Sequence, residues 1–396
     1  MKKTSLLLLI SGLISISVSA SEALVALESY PEPGASRPMP EFKVDASWPD
    51  LPDTWLIGQV PGLAVDKTDN LWLLHRPNSL SPLDLALEQT PPTGVCCKAA
   101  PHVVQISPAG QVMNSWGGEA IAPKIDGVNQ WPQTVHGLFV DDNNTVWLGG
   151  NGKGDHVVLN FTADGQFIRQ FGRRNSTEGN QSKQSLGNPA DIYHDTHTNE
   201  VVIADGYINK RIIGFNTNDN VFSQYWGAYA SIPGGGTRAG DFDVSQATAG
   251  AANINTDAPN FGDIVHCITK SDNGLIYVCD RRNNRLQVFK NDAKGKATFV
   301  RDLVIAGDTM GLGTATDVAF SPDNQYMYIA DMMNGRIWVL WHDTYEVLGS
   351  FGRPGRYPGQ FTWLHSVVAD SKGNLYTSEV STGRRVQKLV LVKPAS

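Results

Sequence analysis

Three histidines recur at one position of an internal repeat, in TVHGLFV (His136), DIVHCIT (His266) and TWLHSVV (His365). Each opens an apolar stretch and belongs to every second copy of the repeat. In a ring of six copies they would stand about a third of a turn apart and converge on one axis. Three neutral imidazoles leave a tetrahedral divalent metal one open position for water or substrate, which is the pattern of a catalytic zinc site. The intervening copies carry Pro61, Ala190 and Thr316 at this position, and none of these side chains is a ligand. The plainer alternative is three channel-lining histidines bonded to backbone or water. A second shared position, the turn after the second strand of a copy, carries Arg76 (LLHRP), Tyr207 (ADGYINK) and Arg281 (CDRRNN). Guanidinium groups beside a metal suit a carboxylate, which they can grip with two parallel hydrogen bonds. A phenol beside the same cation could act as a base.

The repeat that positions these groups has one grammar. An alternating apolar strand runs into an Asp or Asn turn. A second apolar strand ends in Asp, and a polar turn with Asn and Arg leads to a third strand. Six copies can be read, starting near Gly62, His136, Ala190, His266, Thr316 and His365. After several copies a fourth strand ends in Phe-Gly or Trp-Gly. Four strands per copy predict propeller blades, so the chain reads as all-β, a six-bladed β-propeller over residues 42–392. Ten Trp, 39 Gly and 22 Pro suit such a turn-rich fold. In a blade the start of the first strand and the second turn share a face, which puts Arg76, Tyr207 and Arg281 beside the histidines. The strand near Phe42 to Trp48 is expected to pair with the last blade and close the ring. Residues 78–101 and 234–259 read as long inserted loops. Arg211, Arg285, Arg336 and Arg385 follow the turn acids and read as blade-internal partners. Asp205, Asp280 and Asp331 recur and read as structural. His75, His102, His156, His194, His197 and His342 fall outside the shared position and read as surface or loop residues.

Residues 1–20 have the pattern of a cleaved signal peptide: Lys2 and Lys3, an apolar run from Ser5 to Val18, then Val18-Ser19-Ala20. The expectation is export to the periplasm or beyond, with residues 21–41 as a linker. Cleavage would remove two lysines and make the net charge of −7 more negative. An acidic chain with no basic run argues against a nucleic-acid partner, and no other stretch is long enough for a membrane span. The chain is expected to be a monomer. Cys267 and Cys279 flank the Asp272-Asn273-Gly274 turn of a hairpin and could face each other as a disulfide or remain two buried thiols. Cys96 and Cys97 are adjacent in a Pro-rich loop, where a vicinal disulfide, a mixed pairing and free thiols are all open.

The blades resemble NHL repeats, and from Gln59 to Leu389 the chain resembles the peptidyl-α-hydroxyglycine α-amidating lyase family. VHGLFVDDNNTVW, IVHCITKSDNG and WLHSVVADSKGN match its three zinc segments at His136, His266 and His365. QVPGLAVDKTDNLWLLHR and CDRRNNR match its two arginines at Arg76 and Arg281, and ADGYINKRI its tyrosine at Tyr207. The resemblance implies zinc, Tyr207 as general base, and arginines holding a small-molecule or peptide substrate by its carboxylate. The implied reaction splits the C–N bond of an α-hydroxyglycine to an amide and glyoxylate. The chain departs from the family at Ser366, where the family's calcium has a carboxylate. That weakens the case for Ca2+, although the carbonyls of Leu63 and Leu138 could still take part in such a site. It departs again at Ile208, where one family disulfide has a cysteine. The partner monooxygenase domain is absent, so a small analogue such as ureidoglycolate is a reasonable substitute substrate. A metal-dependent propeller hydrolase and a binding propeller without chemistry are the competing classes, because propellers host many functions.

Overall fold

An alternating apolar strand that runs into a polar turn closes on itself as a hairpin, and here the chain does so six times, at Asp66, Asp141, Asp195, Ser271, Ser321 and Asp370. The computed structural model describes residues 24–234, 258–307, 309 and 313–393. Its six blades are antiparallel four-stranded sheets, each entered at its inner strand. The inner strands are Gln59–Val65, Val135–Val140, Asp191–Asp195, Val265–Lys270, Asp317–Phe320 and Leu364–Ala369. Each touches the next, and the last returns to the first, so the ring is closed.

The repeated aspartate has a visible job. The Oδ1 of Asp66 accepts the amides of Thr68 and Asn70, and that of Asp141 accepts those of Asn143 and Thr145. Asp370 does the same for Lys372 and Asn374. Such a side-chain-to-backbone turn fixes where the inner strand ends. The other carboxylate oxygen takes the Nε1–H of Trp72 or Trp147, or the hydroxyl of Tyr376, tying the turn to the middle of the second strand. The apolar faces of neighbouring blades then pack together. Trp72, Leu74 and Val103 of blade one, for example, share a core with Leu138, Val146 and Phe161 of blade two.

Closure follows the expected route. Glu41–Asp45 pairs with Val386–Lys393 as the outer strand of blade six, with Phe42 opposite Leu391. The described part of the expected linker, residues 24–41, contains strands. Leu24–Ala26 adds a fifth strand to blade six, and Ser29–Pro31 adds one to blade five. An outer strand leaves a row of unpaired amides and carbonyls, and this segment covers two such edges. Arg336 also differs from its sequence reading. Arg211, Arg285 and Arg385 pair with Asp205, Asp280 and Glu379, whereas Arg336 stacks over Tyr30 of the added strand. Asp331 instead bonds Trp338 and Asn334.

Cys267 and Cys279 form a disulfide across the inner hairpin of blade four, and Cys96 is bonded to Cys97. Residues 78–101 hold two short 3-10 turns and cross the site face, where Asn78 reaches the Gln133 carbonyl and Asp84 pairs with Arg384. The signal-like residues 1–20 and most of 234–259 lie outside the described residues. Among those described, no helix is long and apolar enough to cross a membrane.

Candidate active site

The three histidine blades share a local irregularity. The pairing of inner and second strands skips between Val135 and Leu138, between Val265 and Ile268, and between Leu364 and Ser366. Blade one has the same skip, between Gln59 and Gly62 around Pro61, whereas blades three and five pair without one. A bulge re-aims one side chain out of the alternating pattern. Here that side chain is the histidine, and all three turn onto the axis. His136, His266 and His365 are buried, with ring centroids 4.7 to 5.1 Å apart. Their ligand nitrogens lie within 4.8 Å of one another.

The outer nitrogens are held by the blades that have no histidine. His136 Nδ1 donates to the Ala190 carbonyl and His266 Nδ1 to that of Thr316, both at 2.7 Å. The third follows a weaker version. His365 Nδ1 lies 3.4 Å from Ser366 Oγ, which donates to the Pro61 carbonyl at 3.2 Å. Pro61, Ala190 and Thr316 therefore offer carbonyls where their side chains offer nothing. These carbonyl partners are invisible in the residue types and were not foreseen from the sequence. A ring that donates through Nδ1 presents a bare lone pair at Nε2.

Burial is the main reason that all three imidazoles resist protonation. His136 is held well below the usual range by burial, then by His266 and Arg76. His266 is pushed down to about 3 by burial and then by Arg281. His365 is held well below by burial and by the other two rings. His266 Nε2 and His365 Nε2 are 3.2 Å apart. Two bare lone pairs repel at that distance unless a cation lies between them. Zinc–nitrogen bonds of 2.0–2.1 Å in a tetrahedron set nitrogens about 3.3 Å apart. The donor set, and the spacing of this one pair, are compatible with zinc.

Tyr207 and the arginines stand on the expected face. The Tyr207 hydroxyl donates to His136 Nε2 at 2.8 Å. Arg281 hydrogen-bonds Tyr207, and Gly313 leaves room for its side chain, since an added Cβ would sit 3.2 Å from Arg281 Nε. Arg76 is fixed through Nε to the Val135 carbonyl, Nη1 to Gln59 and Nη2 to Asn151. That use of three N–H groups leaves two of its five for a ligand. Gln59 and Asn151 were missed in the sequence. Asn151 could have been found, because it follows the second strand of blade two as Arg281 does in blade four.

Beneath the histidines, away from the arginines, runs a channel of about 330 Å³ that includes Leu63 and Leu138 in its wall. Asp191 and Asp317 also face it, each directly after a non-histidine repeat position. Burial raises both carboxyls, Asp317 to about 7, and the charge of Asp317 raises Asp191 further. Ser366 faces the same wall and carries no charge. Four other histidines depart from the surface reading. His75, His156, His194 and His342 are buried. His75 bonds the Ala100 and Pro101 carbonyls, His194 bonds Asp141, and His342 bonds Tyr277. They join strands or blades, which is why they are buried without lying on the axis.

A family model for the NHL repeat matches residues 265–289, in blade four. The peptidyl-glycine alpha-amidating monooxygenase of Mus musculus is 22% identical over 367 residues, which cover 89% of this chain and 33% of that protein. The human NHL repeat-containing protein 3 is 22% identical over 369 residues, covering 88% of this chain and 84% of that one. The chain thus spans about a third of the length of the amidating monooxygenase and most of the second relative. A streptogramin B lyase structure superposes with a TM-score of 0.49 at 10% identity, over 95% of this chain and 100% of that chain. The chain is homologous to the first two proteins and carries the NHL repeat.

Proposed function

We propose that this NHL-repeat propeller is a zinc-dependent carbon–nitrogen lyase that splits an α-hydroxyglycine-type substrate into an amide and glyoxylate. The observation that carries the reading is the convergence of three buried, neutral imidazoles with the Tyr207 hydroxyl 2.8 Å from one of them. His136, His266 and His365 would hold zinc, whose Lewis acidity favours the alkoxide form of the substrate hydroxyl. Arg76 and Arg281 grip the carboxylate and orient the carbinolamide carbon toward the histidines. Tyr207, acting as the phenolate, takes the hydroxyl proton at Oη. The C–N bond breaks as the carbon–oxygen double bond forms, and Tyr207 returns that proton to the departing nitrogen, which becomes the amide. No water is consumed. The N-terminal segment points to export, so we place the mature protein in the periplasm or outside the cell, as a monomer.

A binding propeller without chemistry is the second reading, favoured by the match to most of NHL repeat-containing protein 3. It requires no tightly held metal. The test is metal analysis of protein purified without chelator, then glyoxylate release from α-hydroxyhippurate. About one zinc per chain with release is the expected result. Absence of zinc would sink the lyase. Zinc without release would leave the metal site and remove the substrate assignment.

A further inference from the structure

Blades one, three and five carry no histidine at the shared position, yet adjacent residues of each contact the histidine blades on both sides. The Ala190 carbonyl accepts a hydrogen bond from His136 Nδ1 of blade two. The next residue, Asp191, turns to blade four, where its Oδ2 accepts the Ile268 amide at 2.9 Å. Thr316 and Asp317 repeat the arrangement two blades on. The Thr316 carbonyl accepts from His266 Nδ1, and Asp317 Oδ2 accepts the Val367 amide of blade six at 3.0 Å. Each of these amides belongs to the second residue after a histidine. Regular pairing resumes at Ile268 after the skip in blade four, and Val367 comes directly after that point in blade six. Pro61 and Gly62 make the third pair. The Pro61 carbonyl accepts the Ser366 hydroxyl, and Gly62 has no side chain to offer. A Cβ on Gly62 would stand 2.8 Å from the Leu138 Cβ, so here the backbone itself packs against the second residue after His136.

The inner strand of a blade has no neighbouring strand on its channel side, and an amide that points there needs another acceptor. A bulge sharpens that need, because it interrupts the ladder and bends the strand. A carboxyl anchored on the adjacent blade supplies the acceptor and fixes the bend together. We propose that Asp191 and Asp317 are positioning residues of the metal centre, which set the direction of the His266 and His365 imidazoles by holding the bulged backbone beside them, a role that rests on the metal site of the proposed function and not on its substrate. Charge is not required. A carboxyl keeps an acceptor oxygen in either protonation state. Ala190-Asp191 and Thr316-Asp317 are thus two-residue clamps, and His266 is the ligand held by both, through its ring by Thr316 and through its backbone by Asp191. His136 has a ring carbonyl and no acid, and His365 has an acid and the longer ring contact. Ligands fixed before the ion arrives lose little freedom when it binds, and affinity rises accordingly.

The test loads the purified apoprotein with cobalt(II), which accepts the same imidazole ligands as zinc and whose visible absorption depends on ligand geometry. Asp191 is the cleaner case, because Asp317 also meets the Ser366 side chain. Asp191→Ala removes the acceptor, and Asp191→Asn keeps one. In the alanine variant cobalt affinity should fall about tenfold, the lower end of what outer partners of metal ligands contribute. Its visible bands should shift, which a loss of fold stability alone would not cause. The asparagine variant should bind and absorb as the wild type does. Asp317→Ala and Asp317→Asn should follow the same pattern, and they carry the test if Asp191→Ala does not fold. Alanine variants with wild-type spectrum and affinity would overturn the proposal. Asparagine variants that lose as much as the alanine ones would also overturn it, because charge and not the amide bond would then be at work. A wild type that binds no cobalt removes the metal site and the clamps together, whereas cobalt binding with unaltered alanine variants removes the clamps alone.

Discussion

At the scale of single residues, the site is a set of imidazoles whose protons are placed by backbone. His136 and His266 each have a 2.7 Å carbonyl partner, and His365 has only the longer contact to Ser366. That asymmetry makes His365 the ligand most dependent on one hydroxyl. Ser366→Ala should weaken zinc binding by about tenfold, the lower end of what outer partners of metal ligands contribute. Ser366→Thr should retain it. Competition with a coloured chelator measures both, and equal affinity in Ser366→Ala would refute the role. His266→Ala should abolish stoichiometric zinc, because two imidazoles do not make a tight site. Tyr207→Phe should keep the zinc and lower glyoxylate release by about 10²–10⁴-fold, the usual size of a general-base contribution. If Tyr207→Phe lost its metal as well, the tyrosine would be a structural prop instead of a base.

At the scale of elements, the inner hairpins of blades one, two, three and six are held by a turn aspartate, where blades four and five have Ser271 and Ser321. Asp141 shows the effect on titration. Burial pushes its carboxyl up, but hydrogen bonds from His194, Trp147 and Thr145 outweigh this and hold it at about 2. The sign is that of a depressed acid. Its stabilisation is complete above the unfolded value near 3.8 and is lost as the pH falls toward 2. The shift corresponds to about 2 kcal/mol. Urea unfolding of Asp141→Asn should therefore lack that part of the decline between pH 4 and pH 2 that the wild type shows. An identical decline in both proteins would place the acid sensitivity elsewhere. The bulges are the other element-scale device. Without the skip at Val135/Leu138, alternation along the strand would not bring His136 to the axis.

At the scale of the whole molecule, the ring is closed by a strand from the opposite end of the chain. Phe42 is buried against Tyr328 and Phe351 of blade five while its backbone pairs in blade six. It thus joins two blades at the closure. Phe42→Ala should cost about 3–5 kcal/mol, the usual range for a buried phenylalanine. Denaturant titration checks this, and a loss under 1 kcal/mol would show that closure depends on backbone pairing alone. The same closure fixes where His365 of the last blade stands relative to His136 of the second. Zinc retention in this variant therefore reports whether the ring survives.

Much of this was legible in the chain. The repeat, its alternating strands and turn aspartates specify blades, because periodicity and turn chemistry are local properties. The placing of His136, His266 and His365 at one repeat position specifies that they meet, because symmetry converts equal sequence positions into equal depths. Arg76, Tyr207 and Arg281 follow by the same logic. What the repeat could not supply was contact between different blades. The carbonyls of Ala190 and Thr316 on the histidines, Asn151 on Arg76, the burial of His194 against Asp141 and the covering of two sheet edges by residues 24–31 are such contacts. Each joins segments far apart in the chain, so its partner is chosen by how the closed ring packs and not by any local pattern of residues.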